Sequence, residues 1–180
     1  MYKRVNLNFV FEDLIVFREL NVIKKDFPNF EKIKEILSIN ELPRKKDKNY
    51  ALVLSFIIDK IGDFNKVIYI GDTFLNDKSV IENLTNLNKY EVYGIITEGK
   101  GEFKREKNII LNNSWENLVN LIKELNLNFD NNTFIITDID KTLIGARGRN
   151  DLSIDKARFD AIKDVSKNYI KNFHEESFFS

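Results

Sequence analysis

The stretch NTFIITDIDKTLIGARGRND, residues 132–151, joins a short apolar run to two closely spaced acids. Residues 134–137 are apolar or β-branched, which predicts a strand, and Asp138 and Asp140 follow it. Side chains two residues apart along a strand point the same way, so the two carboxylates repel each other unless a cation or a shared proton lies between them. A turn in which one Asp caps a helix is the structural alternative. Either interpretation places acidic groups at the carboxyl end of a strand.

A second acidic cluster follows another predicted strand, in VIYIGDTFLND, residues 67–77. Gly71 allows a tight turn after the apolar run, Asp72 follows at once, and Asp77 comes at the start of a predicted helix. A loop between strand and helix with a capping Asp is again the alternative. Two acidic clusters at strand ends favour a site for Mg²⁺, which prefers oxygen ligands completed by water and phosphate.

Apolar periodicity predicts strands that alternate with helices along the chain. The predicted strands are 66–72, 90–97, 108–111 and 133–137, with a further half-buried strand over 5–11, and the predicted helices are 29–38, 49–62, 77–88, 114–125 and 153–167. Continuous apolar strands between helices indicate an α/β fold, with a Rossmann-like parallel sheet covered by helices on both faces. In such sheets, ligands bind at the carboxyl ends of the strands. Because the strands that end at Asp72 and Asp138 are both continuous apolar runs, and a chain of this size has room for one such sheet, we expect them to lie side by side, in central positions covered on both faces.

Composition limits the kinds of partner and metal. Lys and Arg number 28, as do Asp and Glu, so bulk electrostatic binding to nucleic acid or to an anionic membrane is not expected. The chain has no Cys and one His, His174, which excludes thiolate and multi-His zinc sites. A metal would have to be held by oxygens, which indicates Mg²⁺ or a related ion. No apolar run is long enough to span a membrane, and Glu12 and Asp13 interrupt the one near the N-terminus, so we predict a cytoplasmic protein without a signal peptide.

Basic residues near the acidic stretches are candidates for binding phosphate. Lys45, Lys46 and Lys48 precede the second predicted helix, and at most one of them is expected to reduce carboxylate repulsion and bind a phosphate as a point charge. Arg147 and Arg149 follow the DID acids in a glycine-containing stretch and could reach a substrate phosphate or carboxylate. A solvated charged loop is the alternative for both groups.

Together these stretches resemble the haloacid dehalogenase superfamily of phosphohydrolases. The family's first motif, an apolar strand that ends in DxDxT, is similar to FIITDIDKTL, residues 134–143. Its fourth motif, an apolar strand followed by GD and a further acid, is similar to residues 67–77. Its third motif, a lysine ahead of the helix that leads into the fourth, matches Lys48 best by spacing, with Lys46 second. The resemblance covers roughly residues 44–165 and implies the fold of that family, phosphatase activity and Mg²⁺ as cofactor.

The resemblance also implies a role for each matching residue. Asp138 would be the nucleophile that forms an aspartyl-phosphate, and Asp140 would be the general acid and base. Thr142 would support phosphate binding, and Lys48 would hold the phosphate and the nucleophile. The implied metal ligands are Asp138, the backbone carbonyl of Asp140, and Asp72 with Asp77 or Asn76 behind it.

Two features depart from the family's pattern. The motifs stand in the order third, fourth, first, and no strand that ends in Ser or Thr supplies the second motif. The chain is therefore either a circularly permuted domain or a piece that spans two modules. We predict an N-terminal segment over residues 1–43, derived from a cap or peripheral, and an α/β core over 44–180.

The predicted function is Mg²⁺-dependent hydrolysis of a small phosphorylated substrate, a phosphate monoester, through an aspartyl-phosphate. The alternative is a non-catalytic or half-site module with a binding or assembly role. Neither nucleic acid nor a membrane is a predicted partner, and self-association is left open.

Overall fold

The computed structural model describes residues 9, 11–98, 103–124, 127, 130–139, 142, 156–157, 159–163 and 165. Packing divides the chain into two units, residues 1–137 and 138–180. The sheet and the helices that cover it lie in the first unit, while the described residues between 156 and 165 are helical, as predicted for 153–167. Among the residues described, none of the helices has the length and apolar character needed to cross a membrane.

The elements of the first unit follow the predicted alternation. The helices are α1 (Phe30–Leu37), α2 (Lys48–Ile61), α3 (Phe74–Asn86) and α4 (Leu118–Glu124), with a 3₁₀ turn over Trp115–Asn117 ahead of α4. The strands are β1 (Lys66–Gly71), β2 (Glu91–Thr97), β3 (Lys104–Glu106), β4 (Ile109–Asn112) and β5 (Thr133–Thr137). The sequence pattern does not predict β3, because all of its residues are charged.

Strand β1 lies between β2 and β5 in a sheet of order β3-β4-β2-β1-β5. It is parallel to both neighbours, and Ile70 of β1 pairs with Thr137 of β5. Strand β4 is parallel to β2, and the short β3 pairs antiparallel with β4. The fold is therefore α/β with a mostly parallel sheet, and the prediction that the strands before Asp72 and Asp138 lie side by side is confirmed.

Alternate residues of the strands face two different helix layers, as the pleat of a strand requires. On one face, Val67 and Tyr69 of β1 share a buried core with residues of α2 and α3. On the other face, Ile68 packs in a separate core with Leu121 of α4. Helices thus cover both faces of the described sheet, as predicted.

The segment ahead of α2 packs against a second side of that helix. Leu20, Phe30 and Ile33 form a buried core with Val53 and Ile57 of α2. Helix α1 begins at its N-cap Asn29, whose side chain accepts a hydrogen bond from a backbone N–H of the first turn at 3.1 Å. Since α2 also packs on the sheet, it is buried on two sides, which explains why its sequence is largely apolar.

Two sequence predictions differ from the structure. The alternation over 5–11 predicts a strand, but the backbone is helical at positions 9 and 11, the two positions of that stretch that are described. Strand β5 was expected in a central position, whereas it is the edge strand of the described sheet and its Ile135 is 46% exposed. The other face of β5 is anchored, with the rings of Phe134 and Phe64 5.0 Å apart.

Candidate active site

The order in which the chain visits the strands reverses between β1 and β5. The connection from β1 to β2 contains α3, which packs on one face of the sheet. The connection from β4 to β5 contains α4, which packs on the other face, and it brings the chain to the far side of β1. In open α/β sheets, ligands bind at such a reversal point, outside the carboxyl ends of the two strands.

Each of the two strands at this point is followed directly by an acid. Asp72 comes after Gly71 of β1, and Asp138 comes after Thr137, which pairs with Ile70 of β1. Because the strands are parallel and paired, with Ile70 opposite Thr137, β1 and β5 end at the same edge of the sheet. The topology therefore supplies a reason for the two acidic clusters that the sequence showed far apart.

The turn after β1 is held by Asp77, in the first turn of α3. Its Oδ2 accepts hydrogen bonds from the backbone N–H groups of Asp72, at 3.1 Å, and Thr73, at 2.9 Å. The hydroxyl of Thr73 donates in turn to Oδ1 of Asp72 at 3.1 Å. A Cβ at position 71 would lie 2.2 Å from Oδ2 of Asp77, so Gly71 is what allows the carboxylate to approach the strand this closely.

The second oxygen of Asp77 binds two side chains from other elements. Its Oδ1 accepts hydrogen bonds from Nζ of Lys45 and from the hydroxyl of Tyr69, each at 2.8 Å. Asp77 is 0% exposed, and the side chain of Lys45 is 29% exposed. Both oxygens of this buried carboxylate thus have hydrogen-bond partners, as buried polar groups require.

The lysine that reaches this acid is Lys45, which the sequence spacing did not single out. Motif spacing favours Lys48, with Lys46 second, but both are exposed. Lys48 is the first residue of α2, and the carbonyl of Lys46 accepts a hydrogen bond from Asn83 at 3.2 Å. Spacing along the chain cannot separate lysines that lie within one turn, so the family roles assigned to Lys48 and Lys46 stay predictions.

The residues of the second unit are described only in part. Asp138 is partly buried, and its Oδ1 accepts a hydrogen bond from the N–H of the next residue at 3.0 Å. The hydroxyl oxygen of Thr142 is buried and has no hydrogen-bond partner in the described part of the chain. Asp140, Arg147 and Arg149 lie outside the described residues, so their assigned roles stay predictions.

Further polar groups line the carboxyl edge on the side of β2 and β4. Glu98, directly after β2, accepts a hydrogen bond from the N–H of Phe74 at the start of α3, at 2.7 Å. The buried side chains of Thr97 and Asn112 hydrogen-bond to each other at 3.3 Å. Neither Glu98 nor Tyr69 was predicted from the sequence as a site residue. A tyrosine within an otherwise aliphatic strand was the available signal for Tyr69, because a buried hydroxyl needs a partner.

The carboxylate oxygens at this edge are suitable ligands for a hard cation. Asp72 offers a carboxylate directly after β1, and further acids follow β5 in the sequence. A carboxylate oxygen of Asp77 lies within 4.8 Å of one of Asp72, but both Asp77 oxygens already accept hydrogen bonds. Carboxylate oxygens are the ligands that Mg²⁺ prefers, and the absence of Cys removes any thiolate competitor. The chemistry of the residues present therefore fits Mg²⁺.

Comparison of the chain with models of protein families, with curated proteins and with solved structures finds no match. The resemblance to the haloacid dehalogenase superfamily rests on the sequence motifs.

Proposed function

We propose that this chain is a Mg²⁺-dependent phosphoryl-transfer enzyme that hydrolyses a phosphate monoester through a covalent phosphate on Asp138. The observation that carries the proposal is the parallel pairing of β1 and β5 at the reversal point of the sheet, with an acid directly after each strand. Such edges are where α/β folds bind ligands. A lysine directed to the same edge by Asp77 adds the positive charge that a phosphate requires.

Asp72 and Asp138 are the residues proposed to hold Mg²⁺, together with the backbone carbonyl of Asp140. When bound, Mg²⁺ would neutralise negative charge that spreads over the phosphoryl oxygens in the transition state. The protein's own contribution to that charge balance is Lys45, whose side chain is partly exposed and whose ammonium ion is held by a buried carboxylate.

The proposed reaction proceeds in two displacements at phosphorus. A carboxylate oxygen of Asp138 forms a bond to phosphorus while the bond to the leaving oxygen breaks, and the acid form of Asp140 protonates that leaving oxygen. Asp140, now a carboxylate, removes a proton from a water molecule whose oxygen attacks the phosphorus. The Asp138–phosphate bond then breaks, which releases inorganic phosphate and restores both carboxyl groups to their initial states.

Thr142 fits a role in binding the phosphate. Its hydroxyl oxygen is buried without a hydrogen-bond partner among the described residues. Buried polar groups in native proteins are nearly always satisfied, so an orphaned one is a candidate for a ligand contact. A substrate phosphate oxygen would supply the acceptor.

A binding role without turnover is the second candidate. The observation in its favour is that β5 is the edge strand of the described sheet, with Ile135 46% exposed. Among the described residues, no further strand lies beyond β5 on that side of the reversal point. In that case the chain would bind Mg²⁺ and a phosphorylated ligand without releasing inorganic phosphate.

Hydrolysis of a generic aryl phosphate, with and without Mg²⁺, tests the proposal. We expect release of inorganic phosphate that requires Mg²⁺ and disappears in Asp138→Asn, because an amide is not a nucleophile. The matched control is Asp63→Asn, the same substitution at an exposed residue ahead of β1, at the opposite edge of the sheet, which should leave the rate unchanged. Turnover that survives in Asp138→Asn would contradict the assignment, and binding without turnover in the wild type would favour the second candidate.

A further inference from the structure

Asp77 has no acceptor position left over. A carboxylate offers two oxygens with two in-plane lone pairs each. In this chain Lys45 and Tyr69 occupy Oδ1, and the N–H groups of Asp72 and Thr73 occupy Oδ2. Asp77 therefore acts through the groups that it holds, namely a lysine side chain and the turn after β1. A direct bond to a cation would require it to give up one of these donors.

Tyr69 reaches Asp77 from inside the protein. It is 2% exposed and belongs to the buried core between the sheet and α2 and α3. Side chains two apart on a strand share a face, so Tyr69 and the space left open by Gly71 lie on the same face of β1. The Tyr69 hydroxyl donates a hydrogen bond to Oδ1 of Asp77. Lys45, which precedes α2, donates to the same oxygen.

The two donors to Oδ1 differ in mobility. The Lys45 side chain has a flexible stem of four carbons and is partly exposed. The Tyr69 ring is fixed by core packing and has few rotatable bonds. The rigid Tyr69 hydroxyl occupies one lone pair of Asp77 Oδ1. The other lone pair of that oxygen is left for Lys45, which donates to it.

We infer that Tyr69 is a positioning residue of the proposed active site, because its buried hydroxyl holds the Asp77 carboxylate in the orientation that directs the Lys45 ammonium ion to the carboxyl edge of the sheet. The inference rests on the proposed function for its consequence in catalysis. The structural part of the inference is that Tyr69, through Asp77, orders the Lys45 side chain. This part does not depend on any reaction.

The chain contains a matched control for this hydroxyl. Tyr90 is 8% exposed, directly precedes β2, and its hydroxyl bonds to the side chains of Ser55, at 2.8 Å, and Asp59, at 2.9 Å. Burial raises the pKa of the Tyr90 phenol above its ordinary value. Tyr90→Phe thus removes a buried hydroxyl bonded to a carboxylate, as Tyr69→Phe does, but at the amino end of a strand instead of the carboxyl edge.

The test is the order parameter of the lysine ε-methylene groups, measured by ¹³C relaxation in the full chain without metal or substrate. In the wild type we expect Lys45 to be more ordered than Lys46 and Lys48. Tyr69→Phe should reduce the order of Lys45 to the level of those two lysines, whereas Tyr90→Phe should leave it unchanged. Equal mobility of the three lysines in the wild type, or an unchanged Lys45 in Tyr69→Phe, would overturn the inference.

A kinetic measurement tests the catalytic consequence. Partners that orient a functional group from behind typically contribute about 10- to 100-fold to activity, so we expect kcat of Tyr69→Phe to fall by about tenfold. KM should change by less than about twofold, because the ground-state contacts of the substrate are kept. If Tyr69→Phe lowers the order parameter of Lys45 but keeps the wild-type kcat, the positioning role in catalysis is overturned. A wild type without turnover would instead count against the proposed function, and the order parameters would still decide the inference.

Discussion

Gly71 and Asp77 are packed so closely that a Cβ at position 71 would lie 2.2 Å from the carboxylate of Asp77. The contact joins the end of β1 to the first turn of α3. It places a fully buried anion directly behind the turn that carries Asp72. The remaining features of the candidate site, including the Lys45 ammonium ion, are built around this contact.

Gly71→Ala should displace Asp77 and disturb the site. Overpacking of this kind typically destabilises a protein by about 1–3 kcal/mol, and here the displaced group is also the acceptor of four hydrogen bonds. We expect loss of stability in urea unfolding together with weaker Mg²⁺ binding. Gly94→Ala is the matched control, since its Cβ would meet the side chain of Ile81 in the core at 2.2 Å. It should lower stability and leave Mg²⁺ affinity unchanged; equal effects of both variants on Mg²⁺ binding would contradict this account.

Asp77→Asn should be strongly destabilising. The amide has no negative charge to pair with Lys45. Its NH₂ group, itself a hydrogen-bond donor, would face groups that also donate. Removing one partner of a buried ion pair costs about 3–5 kcal/mol, and the partial exposure of Lys45 places the expected loss at the lower end, about 3 kcal/mol. Glu31→Gln removes an exposed ion pair with Lys34 and should change stability by less than about 0.5 kcal/mol. Chemical denaturation of both variants checks this, and similar midpoints for the two would show that the Asp77 network contributes little.

Lys45→Met should reduce turnover, whereas Lys48→Met should not. Lys45 is held at the candidate site by Asp77, while Lys48 is exposed at the start of α2. Loss of one charged or polar group that stabilises the transition state typically lowers kcat by about 10²–10³-fold. Steady-state kinetics of the two variants on the same aryl phosphate decides between the lysines. A large loss in Lys48→Met with none in Lys45→Met would restore the assignment made from motif spacing.

Thr142→Val should separate function from stability. The Thr142 hydroxyl is buried without a hydrogen-bond partner in the described residues, so replacing it with a methyl group should be neutral or slightly stabilising, within about 0.5 kcal/mol. If the hydroxyl binds the substrate phosphate, kcat/KM should fall by about tenfold. In contrast, Thr97→Val breaks a bond with Asn112 at a buried position and should cost about 1–2 kcal/mol. A stability loss in Thr142→Val without a kinetic effect would assign the hydroxyl to the fold.

The sequence predicted the order and type of the elements because the buried strands are continuous apolar runs and the helices have regular periodicity. It also predicted that the strands before Asp72 and Asp138 are neighbours, because both are continuous apolar runs and a chain of this size has room for one such sheet. The edge position of β5 was not predicted. One face of the strand packs against the core shared with α2 and α3, and the apolar residues on that face make the segment 133–137 resemble a strand buried on both faces. Strand β3 was missed because its residues Lys104–Glu106 carry only charged side chains.

The site was harder to predict than the sheet. Strand-end acids follow from local sequence, but the partner of Asp77 comes from a residue 32 positions earlier, and a turn sets which lysine of three reaches it. Motif spacing could not resolve that choice. The role of Gly71 was only half predicted: a tight turn was expected, whereas the close approach of a carboxylate depends on how α3 packs on β1.

The proposed function requires that both Asp72 and Asp138 contribute to binding Mg²⁺. Calorimetric titration of Mg²⁺ into the wild type, Asp72→Asn, Asp138→Asn and the control Asp63→Asn tests it most directly. We expect one site in the wild type and in Asp63→Asn, and a loss of affinity of at least about tenfold in each of the other two variants, as for the loss of a charged ligand. Wild-type affinity in either Asp72→Asn or Asp138→Asn would contradict the claim.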